Sequence, residues 1–150
     1  MKRFRFQLEP VLDFKTQALD SLLIELDMLH ARVMAQEYAR DEAYQKITEY
    51  NTEYTRRKAE GMTVLEAMEC ESCQQVLQRR ARQEDEKLRR LRKLEDAKRN
   101  EVVEARKETH SLEKLKEIRR TEYDKAVVKE EEKTLDDMTA ARRVAEAAAG

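Results

Sequence analysis

The sequence predicts an all-α protein that forms a long antiparallel two-helix coiled-coil hairpin. A mostly apolar seam recurs alternately every four and three residues over residues 8–57, and the composition suits long helices. A single glycine interrupts an otherwise continuous helical pattern. Because 3.5 residues per repeat falls short of the 3.6 of a straight helix, we expect a left-handed supercoil.

Composition argues against several classes of protein. Charged residues make up 42% of the 150 residues and aromatic residues 5%, with two glycines, one proline and no tryptophan. Such a chain cannot fill a globular core, and its helix-forming residues at helical spacing argue against plain disorder. No apolar run approaches the roughly 18 residues of a membrane span, and the basic start lacks the apolar core of a signal peptide. We therefore expect a soluble cytoplasmic protein.

The first helix is predicted over about residues 10–60. Residues 1–9 form an extended or frayed start, because aromatic and polar residues alternate there. Pro10 fits the first turn of a helix, where its missing N–H costs nothing. The seam of this helix consists of Leu8, Leu12, Lys15, Leu19, Leu22, Leu26, Leu29, Val33, Gln36, Arg40, Ala43, Ile47, Tyr50, Tyr54 and Arg57.

A tight turn at about residues 61–63 separates the two helices. Gly61 suits the left-handed residue that closes a helix, and Thr63 with Glu66 forms a capping box for the next one. The second helix is predicted over about 64–145, with a frayed end at 146–150, and the whole chain, 1–150, forms a single hairpin. The alternative is two separated helices in an intermolecular bundle.

The second helix has a weaker seam than the first. Its apolar positions are Leu77, Ala81, Leu88, Leu91, Val102, Ala105, Leu112, Tyr123 and Ala126, and its polar interruptions are Glu84, Glu95, Lys98, Lys116 and Arg119. We expect it to extend about 30 residues beyond the start of the first helix, and to be helical there only when a partner covers it.

Candidate chemical sites are few. Cys70 and Cys73 form a C-x-x-C pair, but the only histidines, His30 and His110, do not complete a four-ligand zinc site. The thiols are therefore interpreted as small packing residues. One internal glycine cannot build a phosphate loop, and solvated carboxylates on two helices lack shifted pKa values. We expect no enzyme activity, no metal and no cofactor.

Two surfaces could bind partners. The stretch from Arg79 to Arg99 carries a surplus of about five positive charges, which suits solvated helix with ion pairs, an acidic protein face or a nucleic acid. No aromatic residue interrupts it, so base stacking is not supported and no nucleic-acid partner is expected. Tyr44, Tyr50 and Tyr54 lie near the turn. They are interpreted as core residues, as a binding anchor for a partner, or as both.

Three segments resemble the flagellar FliJ proteins. Residues 4–12 read F-R-F-Q-L-E-P-V-L, similar to the F-x-F-x-L-x-x-[VL]-L opening of that family. Residues 50–54 read Y-N-T-E-Y, similar to its Y-x-x-E-Y element, and residues 128–137 resemble its charged C-terminal segment, which ends in a hydrophobic residue and two acids. The resemblance covers essentially the whole chain.

The resemblance implies a non-enzymatic stalk of the flagellar type III export apparatus, similar to the gamma subunit of rotary ATPases. Such a stalk binds the hexameric export ATPase, promotes its assembly, links it to the membrane export-gate protein and handles export chaperones. It would be cytoplasmic and held peripherally at the inner membrane, at the flagellar base, through protein contacts. The alternatives are a homologous virulence-type secretion stalk and a plain coiled-coil spacer.

The resemblance also implies two contact sites. The export-gate contact is carried over onto Tyr50, Tyr54 and Leu77. The position one turn before Leu77, aromatic in the family, is Cys73 here, which puts the gate contact of the second helix in doubt or makes it smaller. The ATPase contact is carried over onto Phe4, Phe6, Leu8, Leu135, Asp136 and Asp137.

Overall fold

The computed structural model describes residues 2–150, which contain two α-helices and no β-strand. Helix α1 spans Glu9–Glu60 and helix α2 spans Val64–Ala149. They pack against each other as a helical hairpin, which confirms the predicted fold class. The chain divides into two compact units, each containing part of both helices: a turn unit, residues 20–103, and a terminal unit, residues 2–19 with 104–150. Met1, part of the predicted frayed start, lies outside the described residues.

The turn that joins the helices lies in the turn unit. Gly61 and Thr63 adopt their predicted roles there, whereas Glu66 does not. Gly61 has a φ angle of 101°, a left-handed conformation that strongly favours glycine. The Thr63 Oγ1 accepts a hydrogen bond from the Glu66 N–H at 3.2 Å, as a helix cap does. The Glu66 carboxylate does not complete the predicted capping box, because it lies 3.9 Å from the Arg57 guanidinium instead. A cation on the neighbouring helix thus replaces the expected backbone partner.

The core of the turn unit follows the 3.5-residue repeat on both helices. Its buried side chains are Val33, Ala43, Cys70, Ala81, Leu88, Glu95 and Val102, of which Leu88 is the largest fully buried one. Most of the other seam positions predicted for α1 in this unit are half-buried, whereas Arg57 is exposed. The predicted seam of α1 is therefore largely buried in this unit, and α2 is the helix that covers it.

In the turn unit, the polar interruptions of the α2 seam meet partners on α1, whereas Arg119 in the terminal unit is exposed and pairs with Glu122 of its own helix. His30 Nδ1 and the Glu95 carboxylate are 3.1 Å apart, and Lys98 Nζ lies 2.7 Å from the Glu25 carboxylate. The Gln36 amide donates to both the carboxylate and the backbone carbonyl of Glu84. Polar pairs within a coiled-coil seam fix the register of its helices, because any slip separates them.

In the terminal unit, α1 begins after a non-helical segment, residues 2–8, here called the N-terminal segment. Phe6 and Leu12 are buried, and Thr109 is a buried polar residue whose hydroxyl donates to its own helix. Two ion pairs, Lys116 with Glu9 at 2.9 Å and Lys15 with Glu108 at 2.8 Å, join the helices of this unit. Residues 2–6 have no regular secondary structure, residues 7–8 form a turn, and α1 includes Glu9, one residue earlier than predicted.

The C-terminal end of α2 differs from the prediction. The helix continues to Ala149 rather than ending near residue 145, and residues 128–149, here called the tail, are all exposed. Lys116 pairs with Glu9 at the start of α1, so α2 extends 33 residues beyond that point, close to the 30 expected. The N-terminal segment covers part of this extension, and the tail is helical without a covering partner. Its many alanines and its Glu, Lys and Arg residues are strong helix formers, which explains the continuation. Within residues 2–150, no helix has the length and apolar character that crossing a membrane requires.

Candidate docking surfaces

The predicted gate-contact residues lie in the turn unit, where their side chains pack against the partner helix and remain partly exposed. Tyr50, Tyr54 and Leu77 are each half-buried at seam positions. The pKa of the Tyr50 hydroxyl is raised, because it shares a hydrogen bond with the Cys70 thiol, is partly buried and lies near Cys73. Tyr50 is thus held between the two helices. Its neighbour Tyr54 has the Lys58 ammonium of its own helix 4.9 Å from its ring centroid.

Leu77 belongs to the same stretch of the hairpin as the two tyrosines. Gln74, one turn before it on α2, donates from its side-chain amide to the Asn51 side chain at 2.7 Å. That cross-helix bond aligns the tyrosine end of α1 with the Leu77 region of α2. The structure therefore brings the three predicted gate-contact residues into one part of the turn unit.

A set of exposed apolar side chains near the turn was missed by the sequence reasoning. Val64, Leu65, Met68 and Val76 are each at least 60% exposed, and all lie outside the α2 seam. The available signal was that four apolar residues follow the turn at positions the 3.5-residue repeat does not need. We call these four residues, together with the seam residues Tyr54 and Leu77, the turn surface, since all six lie within residues 54–77.

The cysteines differ in environment although they are three residues apart. Cys70 is buried in the seam, 3.8 Å from an Arg57 guanidinium nitrogen, whereas Cys73 is exposed. The packing interpretation therefore fits Cys70 and does not fit Cys73. Among residues 2–150, no group of three or more His, Cys, Asp or Glu side chains is placed to hold a metal ion.

The N-terminal segment is fastened to α2 by an aromatic cluster. The rings of Phe4 and Tyr123 are 5.5 Å apart, and the Arg120 guanidinium lies over both. The Tyr123 hydroxyl donates to the Lys2 carbonyl at 2.5 Å. Phe6 is buried and Leu8 is 38% exposed. Phe6 therefore holds the segment in place rather than offering a free surface.

The predicted ATPase-contact residues of the tail lie apart from those of the N-terminal segment. Leu135 is 63% exposed, and Asp136 and Asp137 are also exposed. Twelve residues, or about 18 Å of helix, separate Leu135 from Tyr123. A shallow groove lined by Tyr123, Val127 and Leu135 runs between them. The six predicted residues thus share one unit but form two neighbouring clusters.

The basic stretch of α2 is partly neutralised. Glu86 binds both Arg89 and Arg90, Arg92 reaches Glu37 at 2.9 Å, and further pairs involve Lys87, Lys98 and Arg99. Among the described residues, Arg79, Arg80, Arg82 and Lys93 form no ion pair. The surface is therefore mainly solvated helix with ion pairs.

A comparison with known proteins identifies the family. Residues 4–148 match the family model described as flagellar FliJ protein, which covers nearly the whole chain. No curated protein and no solved structure matches the chain. The match includes both the aromatic cluster of the terminal unit and the turn surface. The chain therefore belongs to the flagellar FliJ family, and it is a component of flagellar protein export.

Proposed function

We propose that this protein is a non-enzymatic coiled-coil stalk that binds the hexameric flagellar export ATPase and links it to the membrane export gate. The observation that carries the proposal is the tail of α2, which stays helical but uncovered beyond the residues that pack against the rest of the terminal unit. A stalk needs such a free helix to reach a ring. Its place would be cytoplasmic, at the inner membrane, where it would also handle export chaperones.

The proposed ATPase contact consists of the tail and the adjoining N-terminal segment. Leu135 supplies an exposed apolar side chain beside Asp136, and the groove from Tyr123 to Leu135 joins the two predicted clusters. Contacts of this kind are shallow and mixed in polarity. They suit a stalk whose grip on a ring must change during an ATPase cycle, because deep apolar burial would hold it in one position.

The proposed gate contact is the turn surface. It combines an aromatic side chain, Tyr54, with several exposed aliphatic side chains and a methionine. Exposed aromatic and apolar side chains of this kind are common anchors of protein interfaces. The small Cys73, where the family has an aromatic residue, is offset by these neighbours.

Binding of the ATPase can be tested with two matched variants of the tail. Leu135→Arg places a charge in the proposed contact, whereas Val144→Arg does so nine residues later, on the opposite side of the same helix. Both side chains are over 60% exposed, so neither change should unfold the hairpin. We expect Leu135→Arg to weaken binding to the cognate ATPase by about tenfold or more in titration calorimetry, and Val144→Arg by less than about twofold. Equal affinity of both variants, with helicity retained, would contradict the proposed contact.

A further inference from the structure

The tail carries a stripe of six residues, and the intervals between them are the same whether they are counted from the N-terminal or the C-terminal end. They follow one another at intervals of three, four, three, four and three residues, which places them on one side of an α-helix. The six residues of this stripe are Val128, Glu131, Leu135, Met138, Arg142 and Ala145. The stripe therefore keeps its spacing when the helix is turned end over end.

The stripe has no partner within the described chain. Leu135 and Met138, at its centre, are 63% and 65% exposed. Glu131 forms no ion pair with any of residues 2–150, and Arg142 pairs with Glu146 of its own helix at 3.1 Å. Exposed pairs of the latter kind contribute little and are readily exchanged. The apolar centre and the two charges are thus available to a second molecule.

We propose that a second copy of this chain covers the stripe, as an antiparallel helix pair with its two-fold axis between residues 136 and 137. The facing side chains of the two copies would be Val128 with Ala145, Glu131 with Arg142, and Leu135 with Met138. Each pair occurs twice, because a two-fold interface uses the same surface of both copies. Apolar side chains then meet at the centre, with an opposite-charge pair on either side.

Charge selects this arrangement over a parallel one. A parallel pair in register would set Glu131 against Glu131 and Arg142 against Arg142, which is repulsive. In the antiparallel pair, residues 129–136, with four acids and two lysines, lie against residues 137–144, with two arginines and one acid. Asp136 and Asp137 lie on either side of the axis, away from the stripe. Complementary halves of this kind favour the correct orientation.

The dimer should be weak and reversible. The stripe covers 18 residues, about 27 Å of helix, so the interface falls below the size of stable protein complexes. The tail is already helical, which removes much of the ordering cost that a disordered segment would incur on pairing. We expect a dissociation constant on the order of 100 μM.

The inference does not rest on the proposed ATPase contact, although both use Leu135. It concerns the isolated protein and is tested without any partner. If both hold, the second copy and the ATPase compete for the tail. Either proposal can be disproved without the other: the protein could bind the ATPase without forming a dimer, or form a dimer without binding the ATPase.

The test is sedimentation equilibrium of the full-length protein from about 5 to 500 μM, a range that spans the expected constant. Two charge variants, Glu131→Arg and Arg142→Glu, should each remain monomeric, because like charges then face each other. An equimolar mixture of the two variants should dimerise, because the introduced arginine of one variant faces the introduced glutamate of the other only in the mixed pair. Val144→Arg, on the opposite face, should dimerise as the unmodified chain does.

Three results would overturn the inference. The unmodified protein could stay monomeric throughout the range, both single variants could dimerise as well as it does, or the mixture could remain monomeric. Circular dichroism of each variant checks that the helices persist. Since the changed side chains are exposed, a loss of helicity is not expected.

Discussion

At the residue scale, the charged seam residues Glu84, Glu95 and Lys98 of α2 each have a partner on α1. The Glu95 side chain is almost fully buried at a seam position, with His30 of α1 and Arg99 of its own helix beside it. Both of those partners are more than half exposed, so water can hydrate them without Glu95. Glu95 therefore fixes the register of the two helices more than it stabilises them, as buried polar pairs in coiled coils do.

Replacing Glu95 with leucine should therefore stabilise the hairpin. We expect Glu95→Leu to raise the free energy of unfolding by about 1–2 kcal/mol, because a leucine side chain is buried and no unpaired buried charge remains. Leu88→Ala, at the fully buried position one heptad earlier, should lower it by about 2–5 kcal/mol. Urea unfolding followed by circular dichroism measures both, and a lower stability of Glu95→Leu would show that the pairs do more than fix register.

Acid should weaken one surface cluster in a defined pH window. Hydrogen bonds from Arg89, and then from Arg90, lower the pKa of Glu86 to about 2. Because the pKa is lower in the folded than in the unfolded chain, this stabilisation is present above about pH 4–5 and is lost as the pH falls towards 2. Glu86→Gln should lower the melting temperature at pH 7, and the difference from the unmodified protein should shrink by pH 2.

A matched control isolates the effect of that cluster. Glu113, also exposed on α2, forms no ion pair among residues 2–150, so Glu113→Gln should change the melting temperature little at either pH. A difference for Glu86→Gln that stays constant between pH 7 and pH 2 would show that the ion pairs with the two arginines do not stabilise the fold.

At the element scale, sequence reasoning predicted the helices well and their ends less well. The seam of α1 and the turn followed from spacing and from Gly61, because both are local features. The cross-helix partners of Glu95 and Lys98 could not be predicted, because a partner depends on the register between helices. The continuation of α2 to Ala149 was not predicted, although the alanines at residues 147–149 have strong helix propensity.

The turn allows a direct test of backbone conformation. Gly61 has a positive φ angle, and a Cβ atom added to it would meet no atom within 4 Å. Gly61→Ala should therefore destabilise the hairpin by about 1–2 kcal/mol through backbone strain alone, and Gly61→Asn by less, since asparagine tolerates left-handed conformations better. Equal stability of the alanine variant in urea unfolding would contradict the observed turn geometry.

At the scale of the whole molecule, family membership places the chain among flagellar export components, and the proposed contacts lie in both units. The predicted gate residues are brought together in the turn unit, whereas the predicted ATPase residues fall into two clusters. The resemblance carried the predicted ATPase contact over onto Phe4 and Leu135, but it could not show that Phe6 is buried or that Val64, Leu65 and Met68 are exposed. Those facts follow from packing against the partner helix, which motifs do not encode.

The turn surface should bind the export gate through Tyr54 and its apolar neighbours. We expect Tyr54→Ala to weaken binding of the gate protein's cytoplasmic part by about tenfold in titration calorimetry, with helicity nearly unchanged. Tyr50→Ala combined with it should weaken binding further and also reduce stability, because Tyr50 lies between the helices. Tyr38→Ala, an exposed tyrosine elsewhere on α1, serves as control. Unchanged affinity of Tyr54→Ala, with helicity retained, would remove this residue from the gate contact.

The central claim is that this protein acts on the export ATPase through its tail. The most direct measurement is the hydrolysis rate of the cognate ATPase, held where it is partly hexameric, as this protein is titrated in below the concentration at which its own copies would pair. We predict a saturable rise in rate that is lost when residues 130–150 are removed and reduced by Leu135→Arg, but retained by Val144→Arg. No rise with a demonstrably competent ATPase, or a rise that persists without the tail, would contradict the claim.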